Sequence, residues 1–187
     1  MSVLTLASSP YGLSQTALPT AGTTVPVTND AQALKAQIAE YGLILDPLGV
    51  KILAACTALL FFKMFSIGIV QGLTRRKHKS YTVPEDAAFI GKVTPVESEH
   101  PDMLRANNAY RNDLENIPIF LGLAWAFLAL HCWDQAAPIL FGLFTLGRFG
   151  HTFFYLKGMQ PWRSLAFGVG LLTNATLAFQ ILWAVLR

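Results

Sequence analysis

Four apolar runs dominate the sequence, and their lengths constrain its fold more than any other feature. A helix that crosses a bilayer needs roughly 20 mostly apolar residues. One such run covers about Leu48 to Leu73 and contains AACTALLFF and FSIGIV. A second begins near Asn116 and ends near Trp133. A third extends from about Pro138 to Leu156, and a fourth from about Ser164 to Leu186. Only the stretch His131–Ala137 separates the second from the third, so these two are expected as antiparallel neighbours. Charged residues make up 13% of the chain, against about 25% in soluble domains. That argues against a soluble globular fold, and the 53% hydrophobic content argues against intrinsic disorder. The predicted fold class is an all-α integral membrane protein, a bundle of four transmembrane helices over residues 46–187. Residues 1–45 form an N-terminal extension.

The distribution of charge gives an orientation. Between Thr74 and Glu115 lie Arg75, Arg76, Lys77, Lys79, Lys92, Arg105 and Arg111, and the connection between the third and fourth runs adds Lys157 and Arg163. With four spans these two connections share a side. The other side has Lys35, Arg187 and Lys51. The positive-inside rule puts the basic side in the cytoplasm and both termini opposite. Such a surface suits anionic lipid head groups; beside a span, the RRKHK run is not read as a nucleic-acid site. The extension is rich in Ser, Thr, Ala and Pro and has no cation before Lys35, so it matches neither a signal nor a transit peptide. A short helix is expected over Asp30–Tyr41. Cys56 and Cys132 stand apart in apolar runs and read as buried small residues. No zinc-ligand spacing is present, and no metal is expected.

Ionisable groups inside a membrane are rare and usually face the bundle interior. Lys63 lies mid-span. It either snorkels to an interface or meets a carboxylate from another span. The second run opens with RNDLENIP, in which Asn108, Asn112 and Glu115 share a helical face and Arg111 reaches Glu115 at i, i+4. A solvated helix start with acids favoured by the dipole is the plain alternative. In the third run Arg148, His151 and Tyr155 fall at i, i+3 and i+7, one polar stripe on an apolar helix. A snorkelling Arg with a satisfied His is the competing explanation. Arg163 and Ser164 open the fourth run, where Arg163 alone reads as an interface anchor. Taken together these groups converge on one membrane face. Their mixture suits a zwitterionic small molecule, with Arg forks for carboxylates and Glu115 for an ammonium.

RNDLENIPIF at Arg111–Phe120 closely resembles the signature of the MAPEG family, the membrane-associated proteins of eicosanoid and glutathione metabolism. KMFSIGIVQGLTRRK, VPEDAAFIGK, GRFGHTFFYL and QPWRSLAFGVG resemble further family stretches in the same order and spacing. The resemblance implies a homotrimer that binds glutathione between subunits on the cytosolic side. It implies that Arg111, Asn112 and Glu115 hold the glutathione peptide, that His151 and Tyr155 line the pocket, and that Arg75 reaches in from a neighbouring subunit. Arg148 and Asp86 match further polar positions of the family site. Arg163, with Ser164 beside it, falls at the position implied to activate the sulfur.

The implied activity is a glutathione transferase, with possible peroxidase chemistry, acting on a lipophilic electrophile or lipid hydroperoxide from the bilayer. The pattern is nearest to the microsomal glutathione transferase branch. Phe167 and Gly170–Leu171 stand where the prostaglandin-synthase branch has a Tyr and a polar residue. Asn107–Tyr110 also replaces a basic R-R-A-H. That change and the long extension motivate an alternative, a non-catalytic lipid-binding or accessory subunit of a larger membrane complex. A channel or transporter is weaker, because no paired half-helices or inverted repeats are evident.

Overall fold

The structure is a computed structural model that describes Ala33 and residues 45–187. Every regular element among the described residues is helical. Ala33 is helical; the rest of the helix expected over Asp30–Tyr41 lies outside the described residues.

Four long helices carry the fold. Helix α1, Pro47–His78, starts where Asp46 accepts backbone hydrogen bonds from Leu48 (3.3 Å) and Gly49 (2.6 Å), with Pro47 preset for the first turn. It ends at Lys79, whose φ of 49° reverses the chain, after a basic last turn that complements the helix dipole. Helix α2, Pro101–Ala129, starts at His100, whose Nδ1 accepts from the Asp102 N–H at 3.2 Å. Helix α3 is Ala137–Lys157, closed by Gly158 at φ 67°. Helix α4 is Trp162–Leu186. Between α1 and α2, a helical turn at Pro84–Asp86 continues into a π-helical turn at Ala87–Gly91.

Three helices, α1, α3 and α4, are long and apolar enough to cross a membrane. The expected second span differs. The apolar run predicts a span from Asn116 to Trp133, but α2 begins at Pro101 and stops at Ala129. Its first half carries Asp102, Arg105, Arg111, Asp113 and Glu115, so only its second half is apolar. The chain leaves the helix before His131, which takes φ 47° in the turn to α3.

One stripe of each helix forms the core. On α1 it is Leu53, Cys56, Leu60, Lys63 and Ile67; on α2 it is Asp113, Ile117, Phe120, Ala124 and Phe127. Both follow the three-to-four spacing of a single helical face. Phe120 lies at the centre, stacked on Phe144 at 3.9 Å between ring centroids and edge-on to Phe141 at 5.8 Å. Gly147 sets the approach of α3 to α4. A Cβ there would lie 3.3 Å from the Ala166 carbonyl oxygen and 3.2 Å from Val169 Cγ1, which is how small residues let membrane helices close up. The outer faces remain apolar, with Phe61, Phe62, Leu146, Leu172 and Phe179 exposed. Water would not tolerate apolar surface on this scale.

Phe120→Ala removes the centre of the aromatic layer. It is expected to cost roughly 3–5 kcal/mol, seen as a lower unfolding midpoint in detergent. An unchanged midpoint would mean that the stack contributes nothing to stability.

Candidate functional site

The polar centre is built on Asp113, buried on the core stripe of α2. Arg148 of α3 donates to its Oδ1 through Nε (2.9 Å) and Nη2 (2.6 Å). Lys63 of α1 donates to Oδ2, and Thr152 of α3 donates to the same oxygen at 3.2 Å. Lys63 therefore takes the inward-facing alternative; it does not snorkel. Arg148 and Asp113 are both 0% exposed. The same Nη2 donates to Asn112 Oδ1 and lies 3.3 Å from His151 Nδ1. Arg148 Nη1 is buried with no hydrogen-bond partner among the described residues. Two cations thus share one carboxylate, and an unused guanidinium donor remains.

From Arg148 the polar chain continues to the end of α3 and into α4. The His151 ring meets Tyr155 edge-on at 5.5 Å. The Arg163 guanidinium sits over Tyr155, 4.6 Å from its centroid, within cation–π range. Gln160 joins Arg163 to Ser164. The amide orientation that satisfies all three groups has its NH2 donating to Ser164 Oγ at 3.0 Å and its carbonyl accepting from Arg163 Nε at 3.1 Å.

The structure therefore brings Asn112, Arg148, His151, Tyr155, Arg163 and Ser164 into one connected array. It does not join the other candidates to that array. Arg111 and Glu115 form their expected pair at 3.5 Å, but both are exposed. Arg75 pairs with Glu99 at 3.1 Å, and Glu99 also accepts from Asn107. Asp86 borders a cleft with Arg75 at the end of α1. Sequence reasoning missed three participants: Asp113 as the anchor, Gln160 as the link, and Glu99 as the partner of Arg75. Asp113 carried a usable signal, since it falls in register with Ile117, Phe120, Ala124 and Phe127.

Neither cysteine is a ready nucleophile. Cys56 is buried in α1. Burial, and then the Asp134 carboxylate, push the Cys132 thiol up. A thiolate reacting here would have to come from a ligand. His78, His100 and Asp102 bring potential metal-ligand atoms within 4.8 Å of one another. The two imidazoles stack at 3.6 Å and 11°, however, so their in-plane lone pairs run side by side and do not converge on one ion. His100 Nδ1 is also engaged by the Asp102 N–H.

The sequence model of the MAPEG family matches residues 53–183. Prostaglandin E synthase of Bos taurus is 37% identical over 135 residues, covering 71% of this chain and 86% of that protein. The Homo sapiens prostaglandin E synthase is 36% identical over 135 residues, with 71% and 87% covered. Microsomal glutathione S-transferase 1 of Bos taurus is 33% identical over 134 residues, with 69% and 86% covered. Identity to the synthases is thus somewhat higher, the reverse of the weighting drawn from Phe167 and Gly170–Leu171.

Removing one member of a buried ion group strands the others. Asp113→Ala is expected to cost roughly 3–5 kcal/mol, while Arg111→Ala, in an exposed pair, changes stability by less than about 1 kcal/mol. Chemical or thermal unfolding in detergent compares the two. Equal losses would contradict the assignment of Asp113 as the anchor.

Proposed function

The chain belongs to the MAPEG family of integral membrane proteins, and on that footing we propose that it is a membrane-bound glutathione transferase with glutathione-dependent peroxidase capacity. The observation that carries this reading is Arg163, held by Gln160 and stacked on Tyr155 at the end of the array that starts at Arg148. In this reading the four long helices form a transmembrane bundle, three copies assemble, and the basic side faces the cytoplasm with the termini opposite.

Glutathione suits the donor set. It offers carboxylates, an ammonium, peptide groups and a thiol. Arg148 Nη1 is a buried donor with no hydrogen-bond partner among the described residues. Asn112 and His151 lie beside it, and Arg111 and Glu115 supply an exposed cation and anion for the peptide ends. Arg75, in the last turn of α1, reaches into the site of a neighbouring copy in this reading, and Asp86 borders the same cleft as a further polar position. A free thiol titrates near 8.5, so only a few per cent is thiolate at neutral pH. Arg163 favours the anion, and Ser164 donates a hydrogen bond to it. The thiolate sulfur then forms a bond to an electrophilic carbon, and the displaced group or opened ring takes up a proton. With a lipid hydroperoxide, the sulfur attacks the outer peroxide oxygen. The O–O bond breaks, the lipid leaves as an alcohol after protonation, and the sulfenic acid condenses with a second glutathione to give the disulfide and water.

A second reading, synthesis of prostaglandin E, is favoured by the 36–37% identity to proteins of that name. Product analysis with each substrate class separates the two.

The first test is an ultraviolet titration of detergent-purified protein with glutathione, which follows thiolate absorbance against pH. A lowered thiol pKa keeps the thiolate populated below the free-thiol range and loses it only as pH falls through the new value. Arg163→Ala is therefore expected to move the thiolate and rate profiles up toward about 8.5. A loss of one to two pKa units lowers the rate near neutral pH by roughly 10- to 100-fold. An Arg163→Ala rate equal to wild type would refute the assigned role. A chain that binds no glutathione and migrates with a large assembly would favour the accessory-subunit reading.

A further inference from the structure

Gln160 stands where α3 hands over to α4, and only one orientation of its amide satisfies its neighbours. Helix α3 closes at Gly158, φ 67°, packed so tightly that a Cβ would lie 3.1 Å from Arg105 Nη1 of α2. The Met159 N–H returns to the Phe154 carbonyl at 2.9 Å, and the Met159 carbonyl accepts from the Arg163 N–H at 3.1 Å. This turn places Gln160 three residues before Arg163 and four before Ser164, the spacing at which side chains meet on one helical face.

A guanidinium has donors only, whereas an amide has one donating end and one accepting end. Gln160 therefore turns its carbonyl to Arg163, accepting from Nε and Nη2, and its NH2 to Ser164 Oγ at 3.0 Å. The opposite orientation would set NH2 against the guanidinium, donor against donor. It would also spend the Ser164 proton on the amide oxygen. In the satisfied orientation Ser164 is an acceptor, and its own proton is uncommitted. The threonines of the long helices differ. Thr57, Thr145, Thr173 and Thr176 each donate to the carbonyl four residues back, at 2.8–2.9 Å. The Ser164 hydroxyl makes no such bond; among the described residues it meets only the Gln160 side chain.

We propose that Gln160 is a positioning residue for sulfur activation: anchored through its carbonyl by Arg163, it engages Ser164 Oγ as an acceptor and leaves the Ser164 hydroxyl proton to be donated to the sulfur of the bound thiol. This role rests on the glutathione reading above. Gln160 touches no reacting atom. It acts through its two neighbours, holding the guanidinium and setting which way the hydroxyl points. The amide is needed for the second task. A carboxylate of the same length still accepts from Arg163 but has nothing to donate to Ser164, so the hydroxyl turns and spends its proton there. The thiolate then loses a charge-assisted hydrogen bond, and the charge of Arg163 is offset.

The test is a double-mutant cycle on the full chain in detergent, with glutathione and a soluble aryl chloride as electrophile. Thiolate absorbance and conjugation rate are followed against pH for wild type, Gln160→Glu, Ser164→Ala and the double variant. Ser164→Ala is expected to lower the wild-type rate near neutral pH by roughly 10-fold. Once Gln160→Glu is present, the same change is expected to matter by less than about twofold. Gln160→Glu itself is expected to move both pH profiles up by about one unit. Gln160→Met, which adds no charge and leaves Ser164 its proton, is expected to move them less. Equal Ser164→Ala losses in the two backgrounds, no loss included, would overturn the proposal. So would a Gln160→Glu profile that superimposes on wild type while Arg163→Ala still shifts it. A wild-type chain with no thiolate signal would refute the glutathione reading itself, and this role with it.

Discussion

The contact between Arg148 and Asp113 fixes the rest of the molecule. Both groups are fully buried, and an isolated charge among apolar helices is too costly to persist. Each must find the other, and with them come three helices: α1 through Lys63, α2 through Asp113, α3 through Arg148 and Thr152. Hydrophobic packing alone leaves membrane helices free to rotate, because lipid tails are as apolar as leucine. A buried ion group removes that freedom, since only one rotation of each helix turns its polar side chain inward. The aromatic layer of Phe120, Phe141 and Phe144 follows in register from the same rotation. Helix α4 then closes on Arg148 itself, with Gly170 packed beside the Arg148 Cδ.

Much of this was readable from the residues, for a definite reason. Helical periodicity assigns faces, so Arg148, His151 and Tyr155 were placed on one stripe, and they do connect. Hydropathy locates apolar helices, so α1, α3 and α4 lie close to where they were expected. It fails for α2, because a polar helical half looks like a loop; the start at Pro101 was signalled only by His100 and an early Asp102. The register of Asp113 with Ile117, Phe120, Ala124 and Phe127 puts it on the buried stripe, but its role as anchor shows only beside Lys63 and Arg148. Those partners lie 50 and 35 residues away, and sequence spacing carries no trace of such pairings. Gln160 depends on the backbone path between α3 and α4, which composition does not encode.

The array has a division of labour. Arg148 does structural work with Nε and Nη2, while Nη1 has no partner among the described residues. Arg163 is held by neutral partners only, the Tyr155 ring and the Gln160 amide. Among the described residues no carboxylate pairs with it, which leaves it available for the thiolate in the activity proposed here. In the proposed activity a substitution at Arg148 would therefore disturb fold and ligand together, whereas one at Arg163 would act on chemistry with the fold kept.

The unequal lengths of the helices have a further consequence. Helix α3, with 21 residues, is about 32 Å long, close to the roughly 30 Å hydrocarbon core, while α1, with 32 residues, reaches about 48 Å. The surplus of α1 and the polar half of α2 stand together past the apolar layer. A protein built this way straddles two solvents at one ledge. In the proposed reaction a water-borne thiol and an oil-borne substrate would meet there without either leaving its own medium. The protein would then work as a phase-transfer catalyst whose interface is cut into the ends of its helices.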